Sequence, residues 1–333
     1  MITNDHERSR KGVPVVATAI AVDIGGTKMA AALISSSGQQ LSEKITAPTP
    51  SQIGRDAILD TLAQLIGRAY DLLGDVPAGI GIGAAGAIDA ERGVVVHSSG
   101  TILNWVGTDI VHGLRERLEW AQAVPIKVIN DANAHAVGES WIGAAKDARS
   151  MLMVAVGTGI GCAFCLDGTV LEGAHHMAGE IGMARISFAD EPRVEDGQLP
   201  AKFEQNSAGP AMVNFYRQAN GPAATDEVRR QLVMDLAAEG DPVALDVTRA
   251  LGRRLGEVVS WYVMMLDPEV IVLGGGVSRV GSAWWEAMET RLRELLPAYL
   301  EQSLDLRRAQ LGNNAALLGA AREAFRLAGV TAS

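Results

Sequence analysis

Asn130 and Asp131 stand at the end of the apolar run Ile126 to Ile129, just ahead of a helix-forming stretch around Ala132 to Ser140. The carboxyl end of a buried strand is where open α/β sheets place reactive groups. There a carboxylate would accept a proton from a substrate hydroxyl, or it would only cap the following helix, work that Asn130 or Asn133 would share. Three glycine-rich turns favour chemistry: Gly25-Gly26-Thr27-Lys28, Gly157-Thr158-Gly159-Ile160-Gly161 and Gly274-Gly275-Gly276. Without a Cβ, their backbone N–H groups can approach phosphate oxygens closely. Any one of them would serve equally well as a plain hairpin, but together they suit a polyphosphate gripped between facing units. Asp23, beside the first turn, supplies a carboxylate for water on Mg²⁺, while Lys28 reads as a charge at the turn. Phosphoryl transfer to a hydroxyl needs in-line placement, neutralised phosphate charge and a group to take the proton. Asp131 is the candidate for the last role.

The elements that must hold these residues follow from the hydrophobic pattern. Ala19 to Asp23 and Met29 to Ile34 read as two strands joined by the first glycine turn, and Met151 to Val156 with Cys162 to Leu166 repeat that unit around the second. The spacing of the two units matches one domain length, which points to an internal duplication. A helical stripe runs over Arg55 to Leu73, and Gly79 to Gly83 is a short strand ending in Ala84-Ala85-Gly86. A long helix over Ala244 to Leu266, stopped by Asp267-Pro268, precedes the strand Val270 to Leu273. The second turn lies between two strands and does not open a helix, and no G-x-x-x-x-G-K-[ST] occurs, so Walker and dinucleotide-binding readings weaken.

At 333 residues and 48% hydrophobic content, a bilobal α/β protein is expected. A net charge of −10 without a basic cluster speaks against nucleic acid. Val13 to Val22 is shorter than the roughly 20 residues of a membrane span, so a soluble cytoplasmic protein with no membrane partner is expected. Its two cysteines, Cys162 and Cys165, are three apart in a strand and point to opposite faces, which suits buried thiols in a reducing compartment. Residues 1–14 read as a disordered tail.

These residues resemble the ROK family of repressors and sugar kinases over about Ala19 to Leu327. The resemblance rests on Ala21 to Lys28, Gly83 to Asp89, Asn130 to Asn133, Val156 to Gly161, Gly173 to Gly182, Gly274 to Val277 and Leu311 to Ala320. It implies a two-domain hexokinase/actin-like fold, a duplicated ribonuclease H-like unit with a cleft between domains. The expected division is a small domain over 15–131 and 312–330 and a large one over 132–311. The resemblance further implies an ATP- and Mg²⁺-dependent carbohydrate kinase with Asp131 as base and Asn130 as sugar ligand. Gly86, Asn104, Glu180 and Glu204 would line the same pocket. Asp23, Gly25, Gly26, Thr27 and Lys28 would flank the phosphates with Gly157, Thr158 and Gly159, and Gly274 and Gly275 would lie against adenosine. A homodimer is implied by the resemblance alone.

The departures bear on the acceptor. Family members carry G-E-I-G-H and a cysteine cluster that hold a structural zinc, with the histidine also touching sugar. Here Gly179-Glu180-Ile181-Gly182-Met183 ends in a thioether and no cysteine follows, so no zinc site is expected. One of His175 and His176 is expected to supply a pocket imidazole, His175 being the residue chosen, while His97 and His135 receive no role. The leading expectation is phosphorylation of the primary hydroxyl of a hexose or N-acylhexosamine. The alternative is a sugar-like C7 cyclitol of the valiolone type, since a site lacking one polar partner discriminates among hydroxyl patterns. A transcriptional repressor would need a helix-turn-helix, of which the residues ahead of Val15 show no sign. An inactive sensor would have lost the base or the turns, and polyphosphate remains open as donor.

Overall fold

The computed structural model describes residues 16–100, 102–189, 198–220, 229–277 and 282–331. The tail expected over 1–14 and the middle of the 187–201 loop lie outside them.

The first sheet is built from β1 (Thr18–Ile24), β2 (Lys28–Ser35), β3 (Ile45–Pro48), β4 (Gly79–Ala84) and a later strand, with α1 (Arg55–Leu73) between β3 and β4. A small hairpin, β5 (Ala87–Asp89) and β6 (Val94–His97), and α2 (Ile110–Arg117) precede that last strand, β7 (Ile126–Asn130), which runs into α3 (Asp131–Ile142). The strand order is β3-β2-β1-β4-β7, with β1–β2 antiparallel and β1–β4 and β4–β7 parallel.

The second sheet repeats this plan. It comprises β8 (Ser150–Val156), β9 (Ile160–Leu166), β10 (Thr169–Val170), β11 (Val270–Gly274) and β12 (Asp305–Arg308) in the order β10-β9-β8-β11-β12. Again the first pair is antiparallel and the next two are parallel. Both copies have the same topology, so the duplication read from the two hairpins extends to the parallel strands that follow them. The intervening helices are α4 (Phe203–Ser207), α5 (Gly209–Asn220), α6 (Arg230–Glu239), α7 (Pro242–Leu266), α8 (Ser282–Glu294) and α9 (Ala298–Ser303), and α10 (Ala315–Leu327) closes the chain.

The two faces of the first sheet are paved differently. Ile20, Val22 and Ile24 of β1 and Ile80 and Ile82 of β4 point to the side covered by α1, where Ile58, Leu62 and Ile66 complete a core. On the other face the alternate residues are Ala19, Ala21, Gly79, Gly81 and Gly83, which allows α10 and α3 to press against the strands. A Cβ at Gly81 would come within 1.9 Å of the Ala320 carbonyl oxygen, and one at Gly319 within 1.8 Å of the Ala134 carbonyl oxygen. Gly138 of α3 meets the Ala315 carbonyl oxygen in the same way, at 2.3 Å. Glu139, fully buried, then accepts the N–H groups of Ala144 (2.8 Å), Gln310 (3.2 Å) and Leu311 (2.9 Å), tying α3 to the segment that leads into α10. The position of α3 is thereby fixed by α10, some 180 residues later in the chain.

Cys162 packs in the core that faces α7, and Cys165 in the core on the other side of the same sheet. Burial pushes the Cys162 thiol up to about 12 and raises that of Cys165. Neither is poised to react.

Gly319→Ala puts a methyl group where the Ala134 carbonyl already stands. It is expected to destabilise the protein by roughly 1–3 kcal/mol or more, read as a lower denaturant midpoint, whereas Gly329→Ala, with open space around the added methyl group but a positive φ, should cost less.

Candidate functional site

Asp131 is the first residue of α3, but it is not the cap. Asn130 takes that position, its Oδ1 accepting from Asn133 N–H at 3.0 Å. The other end of the same amide donates from Nδ2 to the Gly86 carbonyl at 2.9 Å, so Asn130 joins the end of β7 to the turn after β4. Relieved of capping, Asp131 makes a local bond from Oδ1 to Ala132 N–H (2.9 Å) and lines a cavity of about 350 Å³. Burial, together with the charges of Asp23 and Glu180, raises its carboxyl to about 7 against the lowering effect of that bond. A carboxyl held near neutrality is matched to taking and returning a proton.

Gly157, Thr158 and Gly159 form one wall of the cavity. Their turn is closed by Gly157 N–H bonding the Gly159 carbonyl, and Gly209 N–H at the start of α5 bonds the Gly157 carbonyl, both at 2.9 Å. Gly25 N–H bonds the Lys28 carbonyl across the other turn (3.1 Å), while Thr49 Oγ1 donates to the Gly25 carbonyl (2.7 Å). Around Gly26 and Gly157 the space a Cβ would enter is open. Thr27, Lys28 and Thr158 are exposed at the turn tips.

Asp23 lies at the end of β1, its carboxyl raised to about 6 by burial and drawn back by Lys44. Burial lowers the ammonium of Lys44 and Asp23 opposes that shift, while Lys44 Nζ donates to the Asn313 carbonyl at 2.8 Å. Lys44 gave no signal in the sequence; only the pairing of β2 with β3 brings it beside Asp23. Gly274 and Gly275 line a second cavity of about 210 Å³, and Gly275 adopts φ +85° with Val156 backbone 2.3 Å from where its Cβ would be. A third hollow, beside Thr158, carries Arg217, Arg229 and Arg230, and the guanidinium of Arg230 approaches the backbone at Gly276.

Gly86, Glu180, Met183 and Glu204 line the same cavity as Asp131. Burial raises the Glu180 carboxyl, His97 opposes that shift and Glu204 reinforces it. Glu204 also stands against the second turn, 2.9 Å from where a Cβ on Gly159 would be.

Asp23 and the turn from Gly25 to Lys28 do not line this cavity, and of the residues expected with Asp131 in one pocket two are also not in its wall. Asn104 is exposed with φ +54°; beside it, Trp105 is buried and donates Nε1–H to the Ala85 carbonyl (2.9 Å), which leaves Asn104 on the outer side of its turn. His175 is exposed as well, whereas His176, at φ +57°, turns inward with Nε2 4.0 Å from Asp89.

The imidazoles that do line the cavity are His97, at the end of β6, and His135, one helical turn beyond Asp131. Burial lowers the pKa of His135, keeping it neutral, and it lies between the first two cavities. Its spacing of four from Asp131 was a usable signal. His97 had none, because it reads as the end of a short apolar strand.

A sequence model of the ROK family matches residues 19–325. The chain is 31% identical over 322 residues to a glucokinase of Streptomyces coelicolor, covering 91% of this chain and 96% of that one. Among solved structures it superposes on a ROK hexokinase from Thermus thermophilus with a TM-score of 0.76 and 33% identity, over 91% of this chain and 96% of that one. It superposes equally, with a TM-score of 0.76 and 28% identity, on a ROK family glucokinase from Streptomyces griseus in complex with glucose and AMPPNP, over 93% and 100% of the two chains. The architecture is the hexokinase/actin-like fold.

The buried Asp131 sets a pH dependence of stability. Its carboxyl ionises near neutrality in the folded protein and near its ordinary value of 3.8 when unfolded. The stability associated with its proton is therefore lost as pH rises from about 4 to about 7. Asp131→Asn should melt higher than the unaltered protein at pH 8, with the advantage shrinking towards pH 5. A difference that does not change with pH would contradict this.

Proposed function

The chain belongs to the ROK family, and from that premise we propose that it phosphorylates a primary hydroxyl of a hexose or N-acylhexosamine, giving the 6-phosphate, with ATP as donor and Asp131 as general base. The observation that carries the proposal is Asp131 itself: relieved of capping by Asn130, raised to about 7, and facing a cavity walled by the Gly157–Gly159 turn.

In this reading Asp131 accepts the hydroxyl proton as the hydroxyl oxygen bonds to the γ-phosphorus and the bond to the β,γ-bridging oxygen breaks. The two turns flank the phosphates, Gly25 and Gly26 with Thr27 and Lys28 on one side and Gly157 to Gly159 on the other; Gly25 N–H and Gly157 N–H close the turns themselves, and Gly274 and Gly275 lie against adenosine. Asp23 and the open space at Gly26 fit a hydrated cation, and bound Mg²⁺ would neutralise phosphate charge. Asn130, Gly86, Glu180 and Glu204 orient the acceptor. Residues 15–131 with 312–330 form the small domain and 132–311 the large one, a division supported by the packing of α10 on β1 and β4.

One observation favours a second acceptor class. Met183 stands in the cavity wall beside Glu180 and Glu204, and its own side chain offers a thioether there and no hydrogen-bond donor. A C7 cyclitol of the valiolone type, with ring carbon in place of ring oxygen, suits such a wall.

Turnover with ATP and Mg²⁺ on glucose, N-acetylmannosamine, N-acetylglucosamine and valiolone tests the assignment, and no phosphorylation of any of them would remove it. Asp131→Asn should lower kcat by about 10²–10⁴-fold with ATP binding little changed. In the unaltered enzyme kcat/KM should rise with pH through about 7 as Asp131 ionises. Activity that falls over that interval would exclude Asp131 as the base.

A further inference from the structure

The histidine at the end of β6 has a place in the acceptor cavity that no motif announces. His97 is half-buried and lines the wall that also carries Glu180, Met183 and Glu204. Its backbone is held on the side of Gly86, where a Cβ would come within 2.5 Å of the His97 carbonyl oxygen. Gly86 is itself bonded to the Asn130 side chain, so the histidine, the glycine and the asparagine preceding Asp131 form one continuous piece of wall.

The imidazole is incompletely satisfied within the protein. Nε2 of His97 is buried and has no hydrogen-bond partner. A histidine that serves packing alone normally has its buried nitrogens paired, because leaving one unpaired is costly. The charged neighbour that responds to it is Glu180, whose carboxyl His97 draws down.

An imidazole and a carboxylate on one cavity wall define the chemistry of what would lie between them. A neutral hydroxyl has one proton and two lone pairs, so it donates to the carboxylate and accepts from a ring N–H. An anionic group would be repelled by Glu180 and Glu204. We propose that His97 is a specificity-determining residue that, with Glu180, binds a hydroxyl of the acceptor other than the one phosphorylated. The inference rests on the kinase reading and adds to it the requirement for a polyol, without an anionic group there, whose second hydroxyl reaches the β6 wall. His97 thus supplies the pocket imidazole that the Gly173 to Gly182 stretch was expected to provide through His175.

The test uses the full chain and whichever of glucose, N-acetylmannosamine, N-acetylglucosamine and valiolone binds it best by calorimetry, together with the monodeoxy analogues of that compound. His97→Leu should weaken binding of the parent compound and raise its KM by roughly 10- to 100-fold. The KM for ATP and the melting temperature should stay as they are, and His97→Asn should recover part of the loss. One monodeoxy analogue should bind the unaltered protein more weakly than its parent, whereas His97→Leu should no longer distinguish the two. Unchanged acceptor binding in His97→Leu, or full retention of every analogue penalty, would overturn the inference while leaving the kinase assignment intact. If His97→Leu does not fold, His97→Gln takes the same comparison, with lost discrimination expected and full discrimination overturning the proposal. Failure of all four compounds to bind the unaltered protein would overturn both this inference and the kinase reading beneath it.

Discussion

The close approach of α10 and α3 to the glycine- and alanine-paved face of the first sheet is the constraint on which the site depends. Gly79, Gly81 and Gly83 remove side chains from β4 where the two helices lie, and Gly138 and Gly319 remove them where the helices cross. Backbone then meets backbone at distances no larger residue would permit. The carboxylate of Glu139 adds a second tie by collecting three N–H groups from the turns around the crossing. With α3 held in this way, its first residue, Asp131, has little freedom to move relative to the ends of β1 and β4. A carboxylate at a helix N-terminus keeps its place only as well as the helix keeps its own.

That placement brings together charges that would separate in solution. Asp23, Asp131, Glu180 and Glu204 gather in a protein whose overall charge is already −10. Burial pushes the carboxyls of the first three upward, neighbouring carboxylates add to it on Asp131 and Glu180, and Lys44 and His97 pull against the shifts on Asp23 and Glu180. An arrangement of this kind is unfavourable for folding and useful for proton transfer, since a carboxyl near neutrality both takes and releases a proton readily. The second glycine turn, Gly157 to Gly159, forms another wall of the same cavity.

The cavity wall around Glu180 and Glu204 draws its imidazole from a distant part of the chain. Met183 occupies the cavity wall without a hydrogen-bonding group, and the exposed His175 does not compensate. The imidazole within reach comes from β6, a strand of the other half of the chain. Its position follows from the β5–β6 pairing, where Ala87 faces His97 across a register shift, and from the left-handed Gly86 that brings the two strands beside Asn130.

Several features were determined by the sequence alone. The paired strand–turn–strand units, helix α1, the stop of α7 at Asp267 and the delivery of Asn130 and Asp131 to the end of a strand all follow from local period and turn chemistry, which need no knowledge of distant contacts. Cys162 and Cys165 were separable onto opposite faces for the same reason. What only the tertiary structure decided concerns residues whose significance lies in a neighbour far along the chain. Asn130 rather than Asp131 caps α3, Lys44 stands beside Asp23, Asn104 and His175 lie outside the cavity, and His97 and His135 lie within it. A side chain's own neighbours in sequence set whether it sits on a strand or a turn. Which cavity it faces is set by the packing of elements that may be a hundred residues away, and periodicity carries no information about that.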